Sequence, residues 1–255
     1  MNTEIKNAIQ AADSEAQYDE SAKRLLAQKY VLAHILVRTV EEFQGMEIEK
    51  VVSLIEGDPY ISKVPVASGL SNNDRNMEGK RFVGLNTEAG EKNEGLVRFD
   101  IIFYVRMRNG LAQMIINVEA QTKFKPGYPL TKRAIYYCSR MISAQHGPIF
   151  TKSEYGKIRK VYSIWICTQP SDGFENTLTR YSIKPEQLIG EAQEETENYD
   201  LMSVVMICLG KPGTENHKGI LKFMEVLLSS TRSGSEKKKI LEEEFGVAMS
   251  EELER

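Results

Sequence analysis

Asp100, Glu119 and Gln121 are residues of this 255-residue chain whose types and spacing can do chemistry together. They flank the segment Arg108-Asn109-Gly110-Leu111, and Asn-Gly between two β-branched and aromatic runs predicts a hairpin, because both central positions of a type I′ turn take positive φ. With Asn109 and Gly110 at the centre, Arg108 faces Leu111, Tyr104 faces Ile115, and Asp100 faces Glu119. Residues directly opposed on antiparallel strands share a face, with Cβ atoms about 4.5 to 5.5 Å apart. Two carboxylates so placed repel, and removing one charge should stabilise the protein when no ion is present. A divalent cation would bridge them. Gln121 lies two residues beyond Glu119 and so on its face, while Val118 and Ala120 alternate into a core. Hard oxygen donors converging on one side suit Mg²⁺, which keeps several waters. The competing reading makes Asp100 and Glu119 solvated strand residues neutralised by Arg98, Lys123 or Lys125. Against it stands the apolar run from Met114 to Val118, which predicts burial of Glu119, where an unpaired charge is expensive.

A second constellation follows the hairpin. The turn from Lys125 to Pro129 leads to a helix expected over about residues 131–145, closed by Gly147. Ala134, Ile135, Cys138, Met141 and Ile142 form its apolar stripe, and Arg133, Tyr136 and Arg140, spaced i, i+3, i+7, share another face. A basic face with an aromatic beside a carboxylate pair suits phosphate contacts; the alternative is a solvated helix face. Charge along the chain fits either a nucleic-acid-facing surface or a basic face that pairs with acidic flanks. Residues 98–163 carry 12 Lys/Arg against 3 Asp/Glu, whereas the rest carries 21 against 33, so a segment of +9 sits in a remainder of −12. Cations opposite phosphates release condensed counterions.

The elements that must position these residues read as follows. Residues 1–20 form a flexible lead-in. Leu25, Leu26, Tyr30, Ala33, Leu36, Val37 and Val40 have helical spacing, which predicts one long helix from Ser21 to Phe43. A shorter helix from Glu47 to Ile55 ends at Gly57, and Asp58-Pro59 turns the chain. Residues 62–94 read as irregular. Strands are expected over 97–107 and 112–123, with two buried strands at KVYSIWICT from Lys160 and SVVMICLG from Ser203. Residues 171–200 read as a polar, acidic connection, residues 220–228 as a helix, and LEEEFGVAMSEELER as an acidic helical segment. This alternation predicts one α/β domain over 21–255 with a mixed central sheet flanked by helices. An apolar content of 41 % with 27 % charged residues, and no apolar run near the roughly 20 residues that span a bilayer, exclude a helical membrane protein. The polar start argues against a signal peptide and for a cytoplasmic chain. Cys138, Cys167 and Cys208 read as buried free thiols, and His34, His146 and His217 have no zinc-finger spacing.

The ordered strings NEGLVRFDI from Asn93, INVEAQ from Ile116, GYPLTKRAIYYCSRMISAQHG from Gly127 and KVYSIWIC from Lys160 resemble the PD-(D/E)XK nuclease family transposases, relatives of the recombination-promoting nucleases. The resemblance implies a restriction-endonuclease-like core and a Mg²⁺- or Mn²⁺-dependent DNA endonuclease. Asp100 and Glu119 would hold the metal, and Lys123, Lys125, Arg133, Tyr136 and Arg140 would contact DNA. A third carboxylate would come from Glu94, or from Glu41 or Glu42. Gln121 stands where the wider superfamily usually has Lys, so it can orient the attacking water but cannot polarise it by charge, and the metal must do more. The alternatives are a catalytically silent DNA-binding or protein-interaction module with the same fold, and a nuclease acting on RNA. No membrane partner is implied; a homodimer is compatible with the reading.

Overall fold

The computed structural model describes residues 20–61, 88–89, 97–98, 100–107, 113–123, 127–210, 218–229 and 232–247. Helical residues 20–26 form α1, followed after Ala27 and Gln28 by α2 (Lys29–Thr39), a 3₁₀ turn (Glu41–Phe43) and α3 (Ile48–Leu54). The single helix expected from Ser21 to Phe43 is thus interrupted. Neither proline nor glycine forces the break. Gln28 N donates to Leu25 O at 3.2 Å, and Gln28 turns extended at φ −60°, ψ 126°. Leu26 before the break and Leu32 and Leu36 after it are all fully buried, so core packing overrides the local helical preference.

Strand β1 (Ile55–Ile61) includes Asp58-Pro59, which had read as a turn. Its pairing with the next sheet strand shifts register between Glu56 and Tyr60, and Gly57 has φ +56°. β1 is an edge strand, where a proline and a bulge are tolerated because one side of the ladder is open. β2 (Glu88–Ala89) and β3 (Val97–Arg98) pair as a separate two-stranded sheet, so the strand expected over 97–107 is split before β4 (Ile101–Arg106). The chain continues through β5 (Gln113–Lys123), α4 (Leu130–Ser143), β6 (Val161–Gln169), β7 (Thr177–Ser182), α5 (Thr196–Tyr199), β8 (Met202–Cys208), α6 (Gly219–Leu228) and α7 (Gly234–Phe245). β7 falls inside the stretch that had read as a connection. It is an exposed edge strand, and its six residues, mostly solvated, carry no apolar run to announce it. Residues 1–19, most of 62–94 and the hairpin tip at 108–112 lie outside the described residues.

The six-stranded sheet has the order β1-β4-β5-β6-β8-β7, with β5, β6 and β8 parallel and the outer pairings antiparallel. The β4–β5 register is the one the Asn-Gly turn predicts, running from Ile101 opposite Val118 through Tyr104 opposite Ile115 to Arg106 opposite Gln113. Each face buries its own core. On one side Ile101, Phe103, Val118, Ile164 and Val205 meet Leu26 of α1, Leu32 and Leu36 of α2, Phe223 of α6 and Leu241 of α7. On the other, Ile102, Trp165, Cys167 and Met206 meet Ala134, Tyr137, Cys138 and Met141 of α4. Cys138, Cys167 and Cys208 are buried free thiols, as expected. Among the described residues, no helix is long and apolar enough to cross a membrane.

Candidate active site

Asp100 immediately precedes β4 and Glu119 follows Val118 on β5, so the pairing of Ile101 with Val118 brings the two carboxylates together at one end of the hairpin. Backbone groups hold both. Asp100 N donates to Glu119 Oε1 at 2.9 Å, and Ala120 N donates to Asp100 Oδ2 at 3.3 Å. Asp100 is 6 % exposed and Glu119 4 %. They are therefore buried groups, not solvated strand positions. Alternation along β5 puts Val118 in the core beneath α2 and Glu119 on the opposite face, where its neighbour across the parallel pairing is Trp165.

The charge of Asp100 is met by Lys23, a residue outside the expected site. Lys23 Nζ lies 3.0 Å from Asp100 Oδ1, and the two side chains are 5 % and 8 % exposed. Lys23 is delivered by α1, whose Ala22 and Leu26 are embedded in the core. Its one sequence signal is position: it stands three residues before Leu26 and so on the buried face of the helix, an unusual place for lysine. The pair is consequently not left in bare repulsion, which argues against the expectation that removing Asp100's charge stabilises the ion-free protein. Removing it would take away one buried partner of the Lys23 ammonium.

Arg133 occupies the α4 side of the site in a fixed pose. Its Nε and Nη2 donate to Tyr137 Oη at 3.1 and 2.6 Å, and Nη1 donates to Tyr128 Oη at 3.1 Å. The guanidinium carbon sits 5.0 Å from the centre of the Tyr137 ring and 5.2 Å from that of Trp165, within cation–π range. Burial pushes the Tyr137 phenol well above its ordinary pKa, with the negative charge of Glu119 adding to the effect and Arg133 partly offsetting it. The phenol therefore stays neutral. Burial alone would lower the pKa of Arg133, but Tyr137, Glu119 and Tyr128 outweigh it and raise the value. The i, i+4 spacing of Arg133 and Tyr137 was the available signal for this pairing.

The remaining expected residues divide. Tyr136 is exposed at the α4 surface, but Arg140 is only 3 % exposed, so the basic face drawn through Arg133, Tyr136 and Arg140 does not exist as one solvent-facing stripe. Ile135, assigned to the apolar stripe, is exposed, and Tyr137 takes a core position instead. The rest of the stripe stands, with Ala134, Cys138 and Met141 buried and Ile142 packed beside them, and Tyr137 joins it against Trp165 with ring centres 5.4 Å apart. Glu41 pairs with Arg180 at 2.6 Å. Glu42 accepts from Lys160 at 2.7 Å and from Tyr162 Oη at 2.8 Å. Burial would raise the Glu42 pKa, yet Lys160 and Tyr162 together hold it below the ordinary value. These groups lie beside a polar cavity of about 310 Å³ lined by Lys160, Tyr162, Arg180 and Asp200, on the side of the sheet away from Trp165. Neither Glu41 nor Glu42 joins Asp100. The β5 backbone places Gln121 beside Cys167 and Lys123 beside Gln169. The side chains of Gln121 and Lys123, and Glu94 and Lys125 altogether, lie outside the described residues.

Two buried, backbone-anchored carboxylates fit a divalent cation by donor chemistry, since they supply hard oxygens and leave coordination positions to water and substrate. Among the described residues, no group of three His, Cys, Asp or Glu side chains could hold an ion by itself. No curated protein and no solved structure matches the chain. A family model described as PD-(D/E)XK nuclease family transposase matches residues 70–253.

Proposed function

This chain belongs to the PD-(D/E)XK nuclease family transposases, its mixed six-stranded sheet with flanking helices being an α/β restriction-endonuclease-like fold, and from that premise we propose that it is a divalent-metal-dependent DNA endonuclease. The observation that carries this reading is the buried apposition of Asp100 and Glu119, joined through the Asp100 N–H at 2.9 Å, beside an arginine fixed by three hydrogen bonds. Asp100 and Glu119 hold Mg²⁺ or Mn²⁺, and Glu94 is the carboxylate left to complete the ligand set, Glu41 and Glu42 being engaged elsewhere. A metal bound there supplies Lewis acidity toward the phosphodiester and its attacking water. The chain's own groups do the rest. The backbone N–H groups of Asp100 and Ala120 fix the carboxylate orientations, which keeps the site preorganised. Gln121 orients the water. Arg133, partly buried and held by Tyr128 and Tyr137, contacts a nonbridging phosphate oxygen, and Lys123, Lys125 and exposed Tyr136 follow the DNA backbone. Arg140, being buried, is not among these contacts.

The test is nicking of supercoiled plasmid by the full chain. Cleavage with Mg²⁺ or Mn²⁺, stopped by EDTA and lost in Asp100→Asn and Glu119→Gln, is expected; cleavage that persists in both variants would overturn the assignment. A catalytically silent DNA-binding module is the second reading, favoured by the Lys23 ion pair that already neutralises Asp100. Salt-dependent DNA binding without nicking would select it.

A further inference from the structure

Lys23 poses a question that the nuclease reading leaves open, namely what a lysine is doing inside a carboxylate site. An ammonium with a side chain 5 % exposed has been taken out of water, which is costly unless a charge meets it, and Asp100 Oδ1 at 3.0 Å is that charge. The placement is built into the fold. Ala22 and Leu26, one residue before and three after, are core positions, so α1 is docked and Lys23 is held by a packed helix. Asp100 is meanwhile held from the other side, its Oδ2 accepting from Ala120 N. Any cation that approaches Asp100 therefore meets both a carboxylate already in use and a positive charge fixed beside it.

We propose that Lys23 is a resident counter-cation of the Asp100–Glu119 pair, and that a divalent ion binds by displacing its ammonium from Asp100, so that this lysine sets the metal affinity of the site. The proposal rests on the reading of Asp100 and Glu119 as metal ligands. Two effects act in the same direction. Without metal, Lys23 offsets part of the buried negative charge, which stabilises the metal-free site. With metal, the ammonium and the divalent ion repel at short range in a region of low effective dielectric, which weakens binding. Removing the lysine's charge lifts both effects, and the ion takes over the neutralising role.

Mn²⁺ binding to the full-length protein, read from the electron paramagnetic resonance signal of free Mn²⁺, tests this without any turnover. Lys23→Met is expected to bind Mn²⁺ at least about tenfold more tightly than the unaltered protein, the least that a short-range charge repulsion of this kind supplies. Lys23→Arg, which keeps the charge, should stay within about threefold of it, by the same electrostatic argument. Lys23→Gln retains a hydrogen-bond donor toward Asp100 while losing the charge. It should tighten binding in the same direction and replaces Lys23→Met if the apolar variant does not fold. The rise in thermal midpoint with added Mn²⁺ should be larger in the neutral variants than in the unaltered chain. Equal or weaker Mn²⁺ binding in the neutral variants, with binding still abolished by Asp100→Asn, would overturn the role of Lys23 and leave the metal centre standing. If neither the unaltered chain nor the Lys23 variants bound Mn²⁺ in a manner sensitive to Asp100→Asn, the metal centre itself would fall, and this inference with it.

Discussion

Replacing Asp100 by Asn leaves the Lys23 ammonium buried opposite a neutral amide. Breaking a buried pair by deleting one partner costs about 3 kcal/mol or more, so Asp100→Asn should lower the denaturation free energy of the metal-free protein by that order. Urea unfolding in EDTA measures it. A stabilised variant would mean that repulsion between Asp100 and Glu119 outweighs the attraction of Lys23. Arg133 gives a second test at this scale. Its forked donors reach two phenols at once, and its planar guanidinium lies over Tyr137 and Trp165, so a lysine there cannot reproduce the arrangement. Arg133→Ala should reduce the slope of log DNA affinity against log salt by about one unit if Arg133 neutralises a single phosphate. Fluorescence anisotropy with labelled duplex across a salt series reads that slope; an unchanged slope would remove Arg133 from the DNA contacts.

At the scale of the elements, α2 carries a pH sensitivity. His34 is buried, its ring stacked 4.7 Å from Phe223 of α6, with Arg38 Nη1 2.9 Å from its Nδ1. Burial first, and then the charge of Arg38, push its pKa down to about 4, a shift that Glu49 only partly opposes. In the unfolded chain the imidazole titrates near its ordinary value, about 6.5. Between those values the unfolded state binds more protons, so the stabilisation is complete above the unfolded pKa and is lost as pH falls toward the folded one. The loss attributable to His34 amounts to about 3 kcal/mol. Urea midpoints at pH 7 and pH 4.5 should differ less in His34→Gln than in the unaltered chain; equal differences would mean that other groups carry the acid sensitivity. Elements also differ in how far the sequence announced them. The β4–β5 register was legible because one Asn-Gly turn fixes every opposed pair after it, and that register alone brings Asp100 to Glu119. β6 and β8 were legible because burial on both faces requires unbroken apolar runs. β1 and β7 were not, since edge strands face water and admit proline, glycine and charge. Lys23 and the inward turn of Tyr137 were hidden for a further reason: both are decided by packing between segments far apart in the chain.

Among the described residues a six-stranded sheet carries a core on each face, and we propose that the chain unfolds as a single domain. Ile101 and Val118 belong to the core beneath α2 while their strand neighbour Ile102 belongs to the core beneath α4, so neither core can dissolve without disrupting strands shared with the other. The chain's single tryptophan, Trp165, reports on the α4 side, whereas most of the described helical residues lie on the opposite face. Thermal transitions followed by tryptophan fluorescence and by far-UV circular dichroism should therefore coincide. A fluorescence change preceding the loss of helix would show that the α4 layer opens independently.

The parallel pairing of β5 with β6, and of β6 with β8, has a consequence for the chain as it is being made. A ribosome releases the hairpin with Asp100 and Glu119 first, then Arg133 and Tyr137, while Trp165 and the strand beside Glu119 have yet to emerge. β8, the next support of that strand, arrives later still, and Phe223, which packs against His34, after it. The chemical groups are thus translated well before the scaffold that aligns them. A nascent chain stalled ahead of β8 carries the proposed acidic pair and its arginine, but not the floor on which they are set. Elongation itself therefore delays assembly of the proposed site until β8 has been made.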